Sequence, residues 1–304
     1  IWNSSRFVLM NLTDYQPVNL SDCPDLDLKD RWILSRLQRT ILMTQEALSG
    51  FNFGQYTQLI YDFIWSEFCD WFIEWSKADL YRGTPEKKRK TQNLLIFLLR
   101  LILKLLHPVA PFITEEIWQS LPGKETESIM ITSWPKAEER WIDPVTERLI
   151  IQVQDIIREV RYLRAELSIS PAETCAVFLN FTDPALYEVY ATYQGYIEQL
   201  AKCEIIKGAM DFTKPEGTVT SRTDGVDVSI TVAGLIDVEK EKQRLEKKCA
   251  ILTADNERTR ARLENSEFLR KAPSEVVEKD RDRFHSIVTE IKRLRSLIEG
   301  IQVS

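Results

Sequence analysis

The sequence is poor in residues that build covalent or metal frameworks. Its five cysteines, Cys23, Cys69, Cys175, Cys203 and Cys249, are far apart and odd in number, with no CxxC pair and no Cys/His cluster. That pattern excludes a disulfide scaffold and a zinc module and predicts reduced thiols in a cytoplasmic protein. Only two histidines occur, His107 and His285; His107, at an expected helix end, reads as a structural or capping residue. None of the ten glycines falls in a phosphate loop of the GxGxxG or GxxxxGK kind, and no serine sits in a GxSxG elbow. Long apolar runs are missing too. The longest, residues 94–106, is broken by Arg100 and Lys104 and is too short to span a bilayer. No secretory signal is visible. The acidic pairs at 115–116 and 138–139 are sequence neighbours, which do not face each other on a helix, so they read as surface charge. No catalytic residue and no metal ligand is therefore assigned.

What is present is ordinary soluble composition: 304 residues, 44% hydrophobic and 28% charged, enough for about two domains. The net charge of −6, from 40 basic and 46 acidic residues, argues against a cation-coated DNA binder. The charge is uneven. Residues 239–304 hold 16 Lys and Arg against 13 Asp and Glu, which leaves 24 against 33 elsewhere, so the C-terminal segment is the basic part.

Apolar periodicity predicts helices over residues 1–12, 28–48, 53–80, 86–106 and 111–118, joined by short connections and punctuated by Gly50, Pro85, Pro108 and Pro111. A polar loop, 13–30, carries Pro17 and Pro24. Residues 129–134 read as an isolated strand. Residues 1–143 are thus expected to form a helix bundle. A further helix, 144–167, carries Arg158, Arg161 and Arg164 about one turn apart, expected on a solvated face with Glu159 and Glu166. Strands near 175–181 and 204–206, a helix over 184–200, and a hairpin turning at Asp224-Gly225 make residues 144–234 a small α+β module. From 235 to 304 the chain is charged and helical. Phe284, Ile287, Ile291, Leu294, Ile298 and Ile301 keep a heptad rhythm, and Val238, Lys242, Leu245, Cys249, Leu252, Asn256, Thr259 and Leu263 follow it with polar breaks. A turn over 265–274 with Pro273 closes an antiparallel coiled-coil hairpin whose arms are about 40 Å long. The fold class is mainly α.

A bundle offering an aromatic and an arginine, together with a projecting basic hairpin, suits a large folded RNA better than a small molecule. Specific residues carry a resemblance. Residues 1–11 (IWNSSRFVLMN), 65–71 (WSEFCDW) and 105–118 (LLHPVAPFITEEIW) resemble the anticodon-binding bundle of class I aminoacyl-tRNA synthetases of the Val/Ile/Leu group. Residues 233–239 (AGLIDVE) and 268–277 (FLRKAPSEVV) are similar to the valyl branch, and the zinc module common at the end of the isoleucyl branch is missing.

The resemblance covers essentially the whole chain and implies that catalytic and editing domains lie upstream, with ATP and Mg²⁺ as their cofactors and none in this chain. It implies tRNA-Val as partner, with no DNA, no membrane and a monomeric, cytoplasmic state. It implies that Phe7 stacks on an anticodon base, that Arg6 contacts base or backbone and that Asn3 assists. It also implies that Arg258 and Arg283, helped by Arg262, touch the tRNA elbow where the D and T loops meet. Two other readings stay open: a coiled-coil interaction or dimerisation module, and a synthetase-like paralogue binding another RNA.

Overall fold

In the computed structural model the described residues are 1–18, 26–170, 172–232 and 234–302; Cys23, Pro24, Pro171 and Ala233 lie outside them. The chain divides into two compact units, residues 1–150 and 151–304.

The first unit is helical: α1 (Trp2–Met10), α2 (Leu28–Ser49), α3 (Phe53–Asp62), a π-helical segment (Phe63–Ile73), α4 (Glu74–Arg82), α5 (Pro85–Leu106) and α6 (Pro111–Gln119). The expected 53–80 helix is therefore continuous but changes pitch in its middle. Phe63, Phe68 and Ile73 recur every five residues and are all buried, a spacing that a π turn aligns and an α turn does not. Local chemistry sets the helix ends. Asp27 and Asp30 cap α2 reciprocally, and Thr84 caps α5, with Pro85 at its first position. The core is aromatic: Trp32, Trp75, Trp118, Phe68 and Phe72 are buried, with Trp32 edge-on to Trp75 at 5.6 Å.

Beneath α2, α4 and α5 lies an ionic knot. Lys29, 1% exposed, places its ammonium 2.7 Å from Asp27, 3.2 Å from Asp30 and 2.8 Å from Asp79, while Lys90 reaches Asp30 at 2.6 Å. Burial pushes the Asp30 carboxyl above its ordinary range. Residues 129–134 are not a strand. Ile129–Ile131 make one 3₁₀ turn with Met130 and Ile131 exposed, because among the described residues no neighbouring strand pairs with them.

Helix α7 (Pro144–Glu166) begins in the first unit, where Ser35 and Arg39 both bind Glu147. The second unit adds β1 (Cys175–Phe181), α8 (Pro184–Ala201), β2 (Cys203–Met210), β3 (Thr218–Thr223) and β4 (Val226–Thr231), then α9 (Val238–Glu264), α10 (Ser266–Lys271) and α11 (Ser274–Gln302). The sheet order is β2-β1-β4-β3. β1 runs parallel to β2, joined across α8, and antiparallel to β4. The expected hairpin turns at Asp224-Gly225, with Gly225 at φ +85°. Gly208 lets Tyr190 of α8 lie on β2, since a Cβ there would come within 2.6 Å of the phenol ring.

Helices α9 and α11 form the antiparallel hairpin, with the short helix α10 inside the turn and Asn265 capping it. Three cross-arm ion pairs mark the register: Lys248 with Glu290, Arg283 with Asp255, and Arg262 with Asp280. The seam follows Ile287, Ile291, Leu294, Leu297 and Ile301 against Leu245, Cys249 and Thr259. Leu297 is buried more fully than the expected Ile298, Phe284 is half-exposed, and Glu241 is buried where Lys242 was expected. The last turns of α11 return to the sheet, where Gly300 lies against Val219 of β3.

Candidate nucleic-acid interface

Helix α1 buries Ser4, Ser5 and Val8 and leaves its other side open. Asn3 and Arg6 are exposed and Phe7 is half-buried. Asn3 and Phe7 stand one turn apart, so they share a face. Among the described residues Arg6 carries no ion pair, leaving its planar set of donors available. Phe7 has a cation beside it: the Lys77 ammonium, itself paired with Glu74 at 2.7 Å, sits 5.9 Å from the ring centre. The helix end is pinned, since Gln92 of α5 donates to the Asn11 carbonyl and to Asp14, both at 2.7 Å. An open, pinned face with one unpaired guanidinium and one accessible ring can stack a base and bind a phosphate or base edge.

The arm presents its three arginines differently. The ion-pair register sets Arg258 at the height of residues near 282, so Arg258 and Arg283 are level on opposite arms. Arg283 is engaged by Asp255 at 2.8 Å. Arg262 binds Asp280 at 2.9 Å and lies 4.9 Å from the Phe268 ring centre. Arg258 is exposed with no ion pair among the described residues. The six residues fall into two groups, one in each unit: Asn3, Arg6 and Phe7 on α1, and Arg258, Arg262 and Arg283 on the arm.

Sequence reasoning missed several neighbours. Trp2 is 53% exposed and lines up with Arg6 and Met10 at four-residue steps, a signal that periodicity carried. Tyr61 and Trp65, both more than half exposed, stack with ring planes 6° apart where α3 meets the π segment. Lys77 is 70 positions from Phe7, and no local signal joins them. Of the three arginines singled out on α7, Arg158 and Arg161 lie on the expected solvated face, but their partners differ from expectation and Arg164 is buried. Arg158 pairs with Asp155, Arg161 donates to the Leu200 carbonyl, and Arg164 is buried, donating to the carbonyls of Lys202, Ser170 and Glu173 and to the Cys175 sulfur. Glu159 instead accepts from Ser221, and Glu166 holds Lys248. The distant carbonyls outcompete the local carboxylates because the guanidinium is buried among them. His107 caps α5 and its Nδ1 lies 2.7 Å from the Thr114 hydroxyl, as a structural role requires.

Among the described residues no cluster of three or more His, Cys, Asp or Glu could hold a metal, and no helix is long and apolar enough to cross a membrane.

Comparison with known proteins matches two stretches of the chain, the first of which begins after α1. The family described as the anticodon-binding domain of tRNA ligase matches residues 30–179, and the valyl tRNA synthetase tRNA binding arm matches residues 237–302. The class is thus a tRNA-ligase anticodon-binding domain carrying an arm. Valine–tRNA ligases of Syntrophotalea carbinolica, Carboxydothermus hydrogenoformans and Thermotoga maritima are 36%, 38% and 35% identical over 98–99% of this chain. The chain belongs to the valine–tRNA ligase family, corresponding to its anticodon-binding and arm portion. It spans about a third of the length of these relatives, 33–34%.

Proposed function

We propose that this chain is the tRNA-recognition part of a valine–tRNA ligase, binding the tRNA-Val anticodon with the bundle and the tRNA elbow with the arm. The whole protein would attach valine to its tRNA, with ATP and Mg²⁺ held in parts of the family that this chain does not span. The observation that carries the reading is the open face of α1, where Arg6 has no carboxylate to satisfy it and Phe7 stands beside a cation. Phe7 would stack on an unpaired base, Arg6 would contact base or backbone, and Asn3 would add a hydrogen bond. On the arm Arg258 and Arg283, level on the two helices, would straddle the elbow with Arg262 in support. The working parts are 1–143, 144–234 and 235–304. A monomer fits, since the apolar seam of α9 is spent on α11 of the same chain.

The test is titration with a tRNA-Val transcript and with one carrying a changed anticodon. The parent should prefer the cognate anticodon. Phe7→Ala and Arg6→Ala should each lose about 1–3 kcal/mol of binding and most of that preference. Parent-like binding by both variants would overturn the assignment.

A further inference from the structure

A cleft of about 660 Å³ opens in the second unit between β3, an edge strand of the sheet, and the last turns of α11. It lies at the root of the arm, about nine residues, or roughly 13 Å of helix, beyond Arg283. Cations reach it from three segments: Lys214 in the loop after β2, Arg222 on β3, and Lys292 and Arg293 on α11. Their commitments differ. Arg222 is paired with Asp227 at 3.2 Å, and Arg293 lies 3.6 Å from Glu159 and over the Tyr162 ring at 5.1 Å. Lys214 spends one proton on the Thr220 hydroxyl at 3.1 Å. Lys292 is exposed and has no ion pair among the described residues. Glu216 and Glu299 share the lining.

The remaining polar groups are largely hydroxyls, from Thr218, Thr220, Ser221 and Ser296. The Tyr162 hydroxyl, shielded from water, has no hydrogen-bond partner. The Thr218 and Ser221 protons already go to the Pro215 carbonyl and to Glu159, so the donors with protons to spare are the Lys214 and Lys292 ammoniums, which match a ligand that accepts hydrogen bonds and carries full negative charge.

We propose that this cleft is a second RNA-backbone site, in which Lys214 and Lys292 hold a phosphodiester at the root of the arm. The proposal rests on the reading that the chain binds tRNA, and it adds contact points that carry no sequence information. It therefore predicts affinity without anticodon preference.

The experiment uses the full 304-residue chain, its Lys214→Glu/Lys292→Glu double variant and Lys292→Gln, titrated with cognate and anticodon-changed transcripts between about 50 and 200 mM salt. Matching thermal melts by circular dichroism confirm that the variants are folded. The double variant should bind about tenfold or more weakly at low salt, equally for both transcripts. Its slope of log affinity against log salt should be shallower by about two, and that of Lys292→Gln by about one. Parent-like affinity and slope in both variants, with the parent binding tRNA, would overturn the cleft and leave the wider reading standing. Weaker binding with an unchanged slope would also overturn it, since the lost contact would not be to phosphate. A parent that binds neither transcript would remove the wider reading and the cleft with it.

Discussion

The bundle and the arm treat their cations in opposite ways. In the bundle, Lys29 is sealed among three carboxylates and Lys90 joins the same knot, so these charges act as internal structure. On the arm, Arg262 and Arg283 are more than half exposed and each meets one carboxylate of the opposite helix. A charge removed from water is costly to leave unpaired, whereas a charge at the surface loses little when its partner goes. The bundle thus uses charge to fix which helices meet, and the arm keeps charge where a ligand can compete for it.

The strongest way to break that contrast is Lys29→Ala, which takes the Lys29 cation from buried Asp79 and leaves Asp30 with Lys90 alone. A loss of about 3–5 kcal/mol is expected. All eight tryptophans lie within residues 1–141, so their fluorescence during urea unfolding reads the bundle alone. A change below about 1 kcal/mol would mean that the knot is dispensable.

Acid should act next, and again on the first unit. The Asp14 carboxyl is held below its ordinary value by Lys88 and Gln92, Glu86 by its own backbone and Thr84, and Glu115 by Gln119 and Ser128. Each folded value lies below the unfolded one. Their stabilisation is therefore complete above the ordinary carboxylate values and is lost as pH falls through the folded ones. Asp30, raised by burial, opposes this in part. Tryptophan-detected stability should fall between about pH 5 and pH 3, and a rise would refute the assignment.

The smallest effect is expected on the arm. Asp255→Ala should change stability by less than about 1 kcal/mol by circular dichroism. It should also tighten tRNA binding, because Arg283 no longer has to leave a carboxylate. Unchanged affinity would take Arg283 out of the elbow contact.

The helices were legible because their apolar residues recur at helical spacing and their ends carry Asp27, Thr84, Pro85 and Pro111. The π segment was not, since a run as apolar as 63–73 shows no clear period by which to tell four residues from five. Residues 129–131 look strand-like in isolation, and only the lack of a partner decides otherwise. In the candidate site, spacing could place Asn3, Arg6 and Phe7 on one short helix, but their role came from the family resemblance. The pairing of Arg283 and the position of Lys77 could not be read from spacing, since both depend on where a distant segment returns. Arg164 was misjudged for the same reason: its acceptors are main-chain carbonyls, which have no signature in the sequence.

That residue has a consequence of its own. The guanidinium of Arg164 fastens the end of α8, the connection ahead of β1 and β1 itself through main-chain oxygens and a thiol sulfur. The junction behaves as a rivet shielded by burial from salt. Salt that loosens the exposed ion pairs of the arm therefore leaves α7, the end of α8 and β1 joined.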